Sequence, residues 1–223
     1  MSFTTSTMRV QANFRKNRLL QILLGWYVLF WMVMAISPLD RTDWVLENIL
    51  VFAAACLLVG TYKIFPLSDL SYILITLFMT LHTIGSHWTY AEVPLGYWLR
   101  DTFGFSRNHF DRIVHFSFGL LMAYPIREVF LRVASVRGFW AYYLPFDVTL
   151  AFSGAYEIME WLIASMVAPE SGDAWLGTQG DIWDAQKDMA LAASGALISM
   201  VITAVLHPWY HRNRPHSQTP SAP

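Results

Sequence analysis

Leu19–Ile36 reads LLQILLGWYVLFWMVMAI, eighteen residues without a charge. A membrane-spanning helix needs about 20 mostly apolar residues, within a range of about 17–25. This run therefore has the length and character of a span. Arg9, Arg15, Lys16 and Arg18 precede it, as basic residues precede a first helix that starts in the cytoplasm. A secretory leader also opens basic and then apolar, and Ala35-Ile36-Ser37 resembles a cleavage site. The run exceeds a leader's apolar region of roughly 7–15 residues, and Pro38 follows at once, so it is read as a retained helix.

Composition agrees with that reading. The chain of 223 residues is 55% hydrophobic and 14% charged, with a mean hydropathy of +0.38. Soluble domains are about 25% charged. Too few charges are present to solvate a globule of this size, and the 16% aromatic content excludes a disordered chain. A net charge of -1 gives no basic face for nucleic acid. A single cysteine, Cys56, excludes a disulfide framework and a multi-cysteine zinc site.

Working outward from Leu19–Ile36, five further spans are expected, at about 45–62, 68–87, 110–131, 139–167 and 184–206. Ser68 is placed as the N-cap of the third, and Glu47 in the first turn of the second, where an acid suits the helix dipole. Ala192, Ala193, Ser194, Gly195 and Ala196 in the sixth permit close helix approach. The expected fold is an all-α, polytopic membrane helical bundle of about six transmembrane helices. Residues 1–18 form a cytoplasmic basic segment, 19–206 the transmembrane domain, and 207–223 a disordered cytoplasmic tail. With both termini inside, ten of the fifteen Lys and Arg fall on inner segments, which is the expected bias. Two long connections, 88–109 and 168–183, then lie on the outer face. Both are read as covering the polar residues beneath them, the second through its glycines, which allow tight turns.

On this topology four helices deliver histidines and carboxylates to one end. They are His82 and His87 from the third, Asp111 and His115 from the fourth, Glu157 and Glu160 from the fifth, and Asp184 and Asp188 from the sixth, with Asp181 one turn earlier. Asp111/His115 at i,i+4 and Glu157/Glu160 at i,i+3 share helix faces. An ionisable group in a membrane costs several kcal/mol unless paired, so these residues face one another or a wet cavity. Imidazole with carboxylate suits zinc, iron or manganese. The candidate divalent-metal ligands are His82, His115, Glu157, Glu160, Asp184 and Asp188. Arg107, His109, Asp111 and Arg112 are the candidate catalytic residues, with Arg107, His109 and Arg112 meeting an anionic substrate group. The same residues fit acid–base chemistry through a shared carboxyl proton, a proton or ion path, or a polar network that only packs helices. No inverted repeat and no matched pair of broken helices marks a transporter. The partner that follows from composition is the lipid bilayer; a homo-oligomer is left open. No Walker-type ending supports nucleotide binding.

Two long motifs carry a resemblance. One joins His87-Trp88-Thr89-Tyr90-Ala91-Glu92-Val93-Pro94-Leu95-Gly96 to Ser106-Arg107-Asn108-His109-Phe110-Asp111-Arg112. The other joins Tyr156-Glu157-Ile158-Met159-Glu160-Trp161 to Gly177-Thr178-Gln179-Gly180-Asp181-Ile182-Trp183-Asp184-Ala185-Gln186-Lys187-Asp188-Met189. Over about Leu19 to Leu206 the chain resembles the YjdF-type bacterial inner membrane proteins. That resemblance implies a multi-pass inner membrane protein of the bacterial cytoplasmic membrane and supplies no activity. A looser similarity, Asp111-Arg112-Ile113-Val114-His115-Phe116, is to the VanZ-like membrane proteins, and it carries no substrate.

Overall fold

The computed structural model describes residues 14–166 and 178–212, the last six of these by backbone alone. Among them there is no strand. After a short 3-10 turn at Phe14–Lys16 come α1 (Arg18–Met34), α2 (Arg41–Tyr62), α3 (Asp69–His87), α4 (Pro94–Phe103), α5 (Phe110–Arg132), α6 (Trp140–Met166) and α7 (Asp184–Arg212). By length and composition, α2, α3, α5 and the Asp184–Leu206 stretch of α7 suffice to cross a membrane. The remaining long helices are α1, whose 17 residues reach about 25 Å, and α6 with 27 residues. Asp147, Glu157 and Glu160 dilute the hydropathy of α6. These six helices are the expected spans.

Helix ends follow from local chemistry. Asp40 caps α2 by accepting the Thr42 and Asp43 amides, and Ser68 caps α3 by accepting the Ser71 amide, as its sequence indicates. Three boundaries differ from expectation. First, α2 begins at Arg41, which puts Glu47 in the second turn, past the reach of the helix dipole. Second, α7 continues past Leu206 to Arg212, so the tail expected from 207 starts as helix; residues 213–223 lie outside the described residues. Third, the 88–109 connection contains α4, which opens on Pro94 at its first turn and closes on Gly104 at φ 69°, the usual residues for those places. Leu95, Trp98 and Phe103 leave an exposed apolar edge on α4.

The centre of the bundle is α5, which packs on α3, α6 and α7. Its tightest partner is α7, running parallel to it. A Cβ at Gly119 would fall on the backbone of Ala192 and Ala196, and one at Gly195 on the backbone of Phe116 and Leu120. Two helices therefore touch backbone to backbone, each through its own glycine, with Ala192 and Ala196 fully buried between them. Away from the polar end, Glu128 of α5 accepts the Ser68 amide at 2.9 Å and the Ser71 hydroxyl at 2.6 Å, which ties α5 to the start of α3. α1 lies on the outside of α3 with no buried residue, attached by Tyr27–Thr83 (3.1 Å) and by Trp31 donating to Asn48 of α2 (2.6 Å). Leu29, Val59, Ile64 and Val205 are exposed, as lipid-facing side chains are. Cys56 is exposed in the same way.

Gly119→Val places two methyl groups where the α7 backbone runs. It should cost about 1–3 kcal/mol, the usual scale of overpacking. Gly60→Ala, inside α2 at a site with nothing within 4 Å, should not lower stability and should raise it slightly, because alanine is the better helix former. Thermal unfolding of the two variants in one mild detergent checks this; equal melting temperatures would mean that the helices do not meet as described.

Candidate functional site

The polar end is built by two connections that lock together. In the first, Thr89 and Tyr90 take left-handed backbone angles (φ 51° and 52°) and turn the chain back on α3. Gly85 leaves room there, because any side chain would strike the Tyr90 ring. The Tyr90 hydroxyl then reaches His82 Nδ1 at 2.5 Å. Burial pushes the Tyr90 phenol well above its ordinary pKa, so it stays protonated and donates. The other ring nitrogen, Nε2, must carry the proton and donate to the Glu47 carbonyl at 3.2 Å. Both nitrogens of His82 are thus engaged by protein.

Further along, Asn108 is buried and acts as a staple. Its side chain donates to the Val93 carbonyl and accepts the Phe110 amide, each at 3.0 Å, which starts α5. A Cβ at Gly96 would land on that side chain, so α4 can approach only through glycine. The second connection docks on Asn108 through Gln179, whose amide accepts the Asn108 N–H and donates to the Asn108 carbonyl, both at 3.0 Å. Gln179 and Gly180 hold positive φ, 48° and 85°, to make that turn. Gly172, Asp173, Trp175 and Gly177, expected as part of the cover, lie outside the described residues, as does Glu170.

An ion-pair network completes the clip. Arg107, buried, grips Asp184 with both terminal nitrogens, Nη2 lying 3.1 Å from Oδ2, and also donates to the Thr178 carbonyl at 3.0 Å. Arg112 donates to Asp181 at 2.5 Å and Asp184 at 3.1 Å, and Lys187 reaches Asp181 at 2.6 Å. The Lys187 ammonium, the Trp183 N–H and Arg112 hold the Asp181 carboxyl well below the usual carboxylate range. His109 sits at the mouth of this network, its Nδ1 accepting from Arg112 at 3.3 Å. Burial and then the charges of Arg112 and Arg107 lower its pKa, which keeps the ring neutral.

Beneath the clip lie the remaining acids. His115 Nε2 is 3.5 Å from Asp111 Oδ1 and 3.4 Å from Glu157 Oε1. One ligand atom each from Asp111, His115 and Asp188 lie within 4.8 Å of one another, close enough to hold a metal ion. Asp188 is 2% exposed, and its Oδ1 and Glu157 Oε1 are buried with no hydrogen-bond partner. Glu160 lies within electrostatic reach of Asp111, Glu157, Glu47 and Asp188. Glu47 accepts the Tyr156 hydroxyl at 2.9 Å and closes the group on the α2 side.

Sequence reasoning and geometry part at four places. Asp111, expected as a catalytic partner, stands with His115 and Asp188 in the group close enough to hold an ion. Asp184, expected as a ligand, is consumed by two arginines. Arg107 and Arg112, expected at an anionic substrate, are bound instead to Asp184 and Asp181. His82, expected as a ligand, is held by Tyr90 and Glu47. Tyr90, Asn108, Tyr156 and Gln179 join the site without being candidates from the sequence, and Glu47, expected only as a helix-start acid, joins it too. For Glu47 a signal existed, since an acid inside a span is costly unless it faces a partner.

Asp181 has a lowered native pKa, so its contribution to stability is present above its unfolded value of about 3.9 and is lost as pH falls through the lower native value. The melting-temperature gap between wild type and Asp181→Asn should stay constant from pH 8 to about 5 and shrink only below about 4. Melts across that series check it; a gap that is absent at neutral pH would remove Asp181 from the clip.

Comparison with known proteins places this architecture. Residues 19–209 match the family model described as "Predicted membrane protein (DUF2238)". The chain is 39% identical over 173 residues to "Inner membrane protein YjdF" of Escherichia coli (strain K12), covering 77% of this chain and 82% of that protein. No solved structure matches. With the match running from the start of α1 into the last turns of α7, the chain belongs to the DUF2238 family of predicted membrane proteins.

Proposed function

We propose that Asp111, His115 and Asp188, with Glu157 as a fourth donor, bind a divalent cation at the outer end of the bundle. The bound ion would support acid–base chemistry on a lipid or envelope-derived substrate. The observation that carries this reading is Asp188, buried with its Oδ1 unpartnered and with a carboxylate oxygen within 4.8 Å of an imidazole and a second carboxylate. Carboxylates gathered at a low-dielectric helix end repel one another unless a positive charge or a shared proton neutralises them. Arg107 and Arg112 make their close ion pairs with Asp184 and Asp181, one step above this group.

One imidazole among carboxylates favours a borderline or hard ion, namely zinc, manganese or iron. Such an ion lowers the pKa of bound water and polarises a substrate oxygen. Glu160 and Tyr156, both beside the ligand set, are the residues placed to hold or pass a proton. The bias of Lys and Arg supports placing this end outside, and both termini are then cytoplasmic.

Protein purified in mild detergent and loaded separately with zinc, manganese and ferrous iron should retain about one ion per chain of one of them, by mass spectrometry of the metal. His115→Ala and Asp188→Asn should lose it; His82→Ala should not. Wild type with no stoichiometric ion under any of the three loadings would overturn the cation reading.

A further inference from the structure

The cluster has a neighbour of different chemistry. A cavity of about 490 Å³ lies between α2, α3, α5 and α6. Ligand pockets run from about 300 to 1,000 Å³. One end is polar, lined by His82, Tyr90, Asp111, His115 and Tyr156. The rest is apolar apart from Ser153, with Leu57, Phe78, Met79, Phe118, Met122 and Phe152 among its walls. On α5 the lining runs from Asp111 to Met122, eleven residues further on, or about 16 Å of helix.

What fills such a space is constrained. A transmembrane helix is about 10–12 Å across with its side chains, too wide for 490 Å³ drawn out over that length. A buried water typically makes about three hydrogen bonds, and along the apolar length the lining offers the unpartnered Ser153 hydroxyl alone. An apolar void of this size is costly when empty and takes apolar ligands when they are present. At this depth the surrounding solvent is hydrocarbon. Entry has a route as well: α2 packs on α3 and α6 on α5 and α7, while α2 and α6 are joined at the polar end by the Tyr156–Glu47 hydrogen bond. Below that bond the cavity walls Ala53 and Leu57 on α2 and Phe152 and Ala155 on α6 are exposed to the bilayer.

We propose that this cavity takes a single hydrocarbon chain of an amphiphile, tail toward Leu57 and Met122, head at Asp111 and His115. The chain slides in laterally between α2 and α6. The placement of the head at a reactive centre rests on the cation reading; the binding of the tail does not. The substrate class that fits is a lipid whose polar group is presented to the Asp111–His115 edge of the cluster, with the Tyr90 and Tyr156 hydroxyls beside it.

The test uses two palmitic acid probes, one with a photoreactive diazirine near the carboxyl and one with it near the terminal methyl. After irradiation of the full chain in detergent and in phosphatidylglycerol vesicles, the adducts are mapped by peptide mass spectrometry. The head probe should mark Tyr90 and Tyr156, and the tail probe Met122 and Leu57. Unlabelled palmitate should compete, and Ala155→Trp and Ala54→Trp, which fill the slot, should each cut cavity labelling at least tenfold while melting no lower than wild type. Two filling variants are used so that a folding defect in one leaves the other to decide. Labelling confined to lipid-facing residues such as Val59 and Val205, labelling unmoved by both filling variants, or a reversed head and tail pattern would each overturn the proposal. Metal content and labelling read together separate the two readings: wild type with cavity adducts and no stoichiometric ion sustains the chain site and not the cation, wild type with an ion and no adducts does the reverse, and Asp188→Asn, which should lose the ion, should keep the tail adducts.

Discussion

Two glycines, Gly119 on α5 and Gly195 on α7, decide how near those helices come, and the chemistry at the polar end depends on that separation. Lipid offers helices no hydrophobic reason to associate, so close van der Waals packing must do the work, and it needs small residues at the crossing. Asp111 and His115 stand about one to two turns from Gly119, and Asp188 about two turns from Gly195, on the same side of the contact. Backbone contact at the crossing therefore brings an imidazole and two carboxylates from two helices within reach of a single ion. Bulk at either glycine would separate them without touching any ligand.

The second constraint is the clip over that end. Buried ion pairs are weak evidence of stability in themselves, since desolvation offsets much of the attraction. Removal of one partner is costly, because the other is left charged and buried. Arg107 joined to Asp184 is such a pair, and it draws the α4–α5 connection onto the start of α7. Gln179 with Asn108 repeats the link through neutral amides. The long motifs around residues 106–112 and 177–189 thus belong together in space, each supplying half of one joint.

How much of this is legible in the sequence varies with the range of the interaction. Apolar length and basic flanks give the six spans, and i,i+3 and i,i+4 spacing on four helices gives the convergence of acids at one end, because both depend on local order along one chain segment. Partner choice is different. Asp184 and Asp188 look alike as acids one turn apart on α7; only the position of Arg107, seventy-seven residues from Asp184, turns the first into a counter-ion and leaves the second unpartnered. His82 likewise reads as a ligand until Tyr90 and Glu47 claim its two nitrogens. Glu47 is legible in part: its apolar run places it at a helix start as a dipole cap, whereas the Asp40 cap starts α2 at Arg41, six residues before Glu47. The α4 helix had its signals, Pro94 and Gly104, but ten residues are too few for a periodicity argument to separate them from a loop.

The bilayer explains why an ionisable cluster and an apolar slot share a wall. In a water-soluble protein, a cavity with one polar end opens to solvent at that end and draws its ligand from water. Here the slot lies at hydrocarbon depth and the acids sit at the helix ends, where the medium changes from lipid to headgroups. A ligand that satisfies both must itself be amphiphilic and must arrive sideways, with its head already at the level of the acids. Tyr156, like Asp111 and His115, belongs to both regions. Its hydroxyl bonds Glu47 at 2.9 Å, its ring lies edge-on to His115 with centroids 5.9 Å apart, and it lines the cavity. Through it the depth of the slot and the depth of the ligand set are fixed relative to each other, so a lipid bound by its tail presents its head group at one height and not at a range of them.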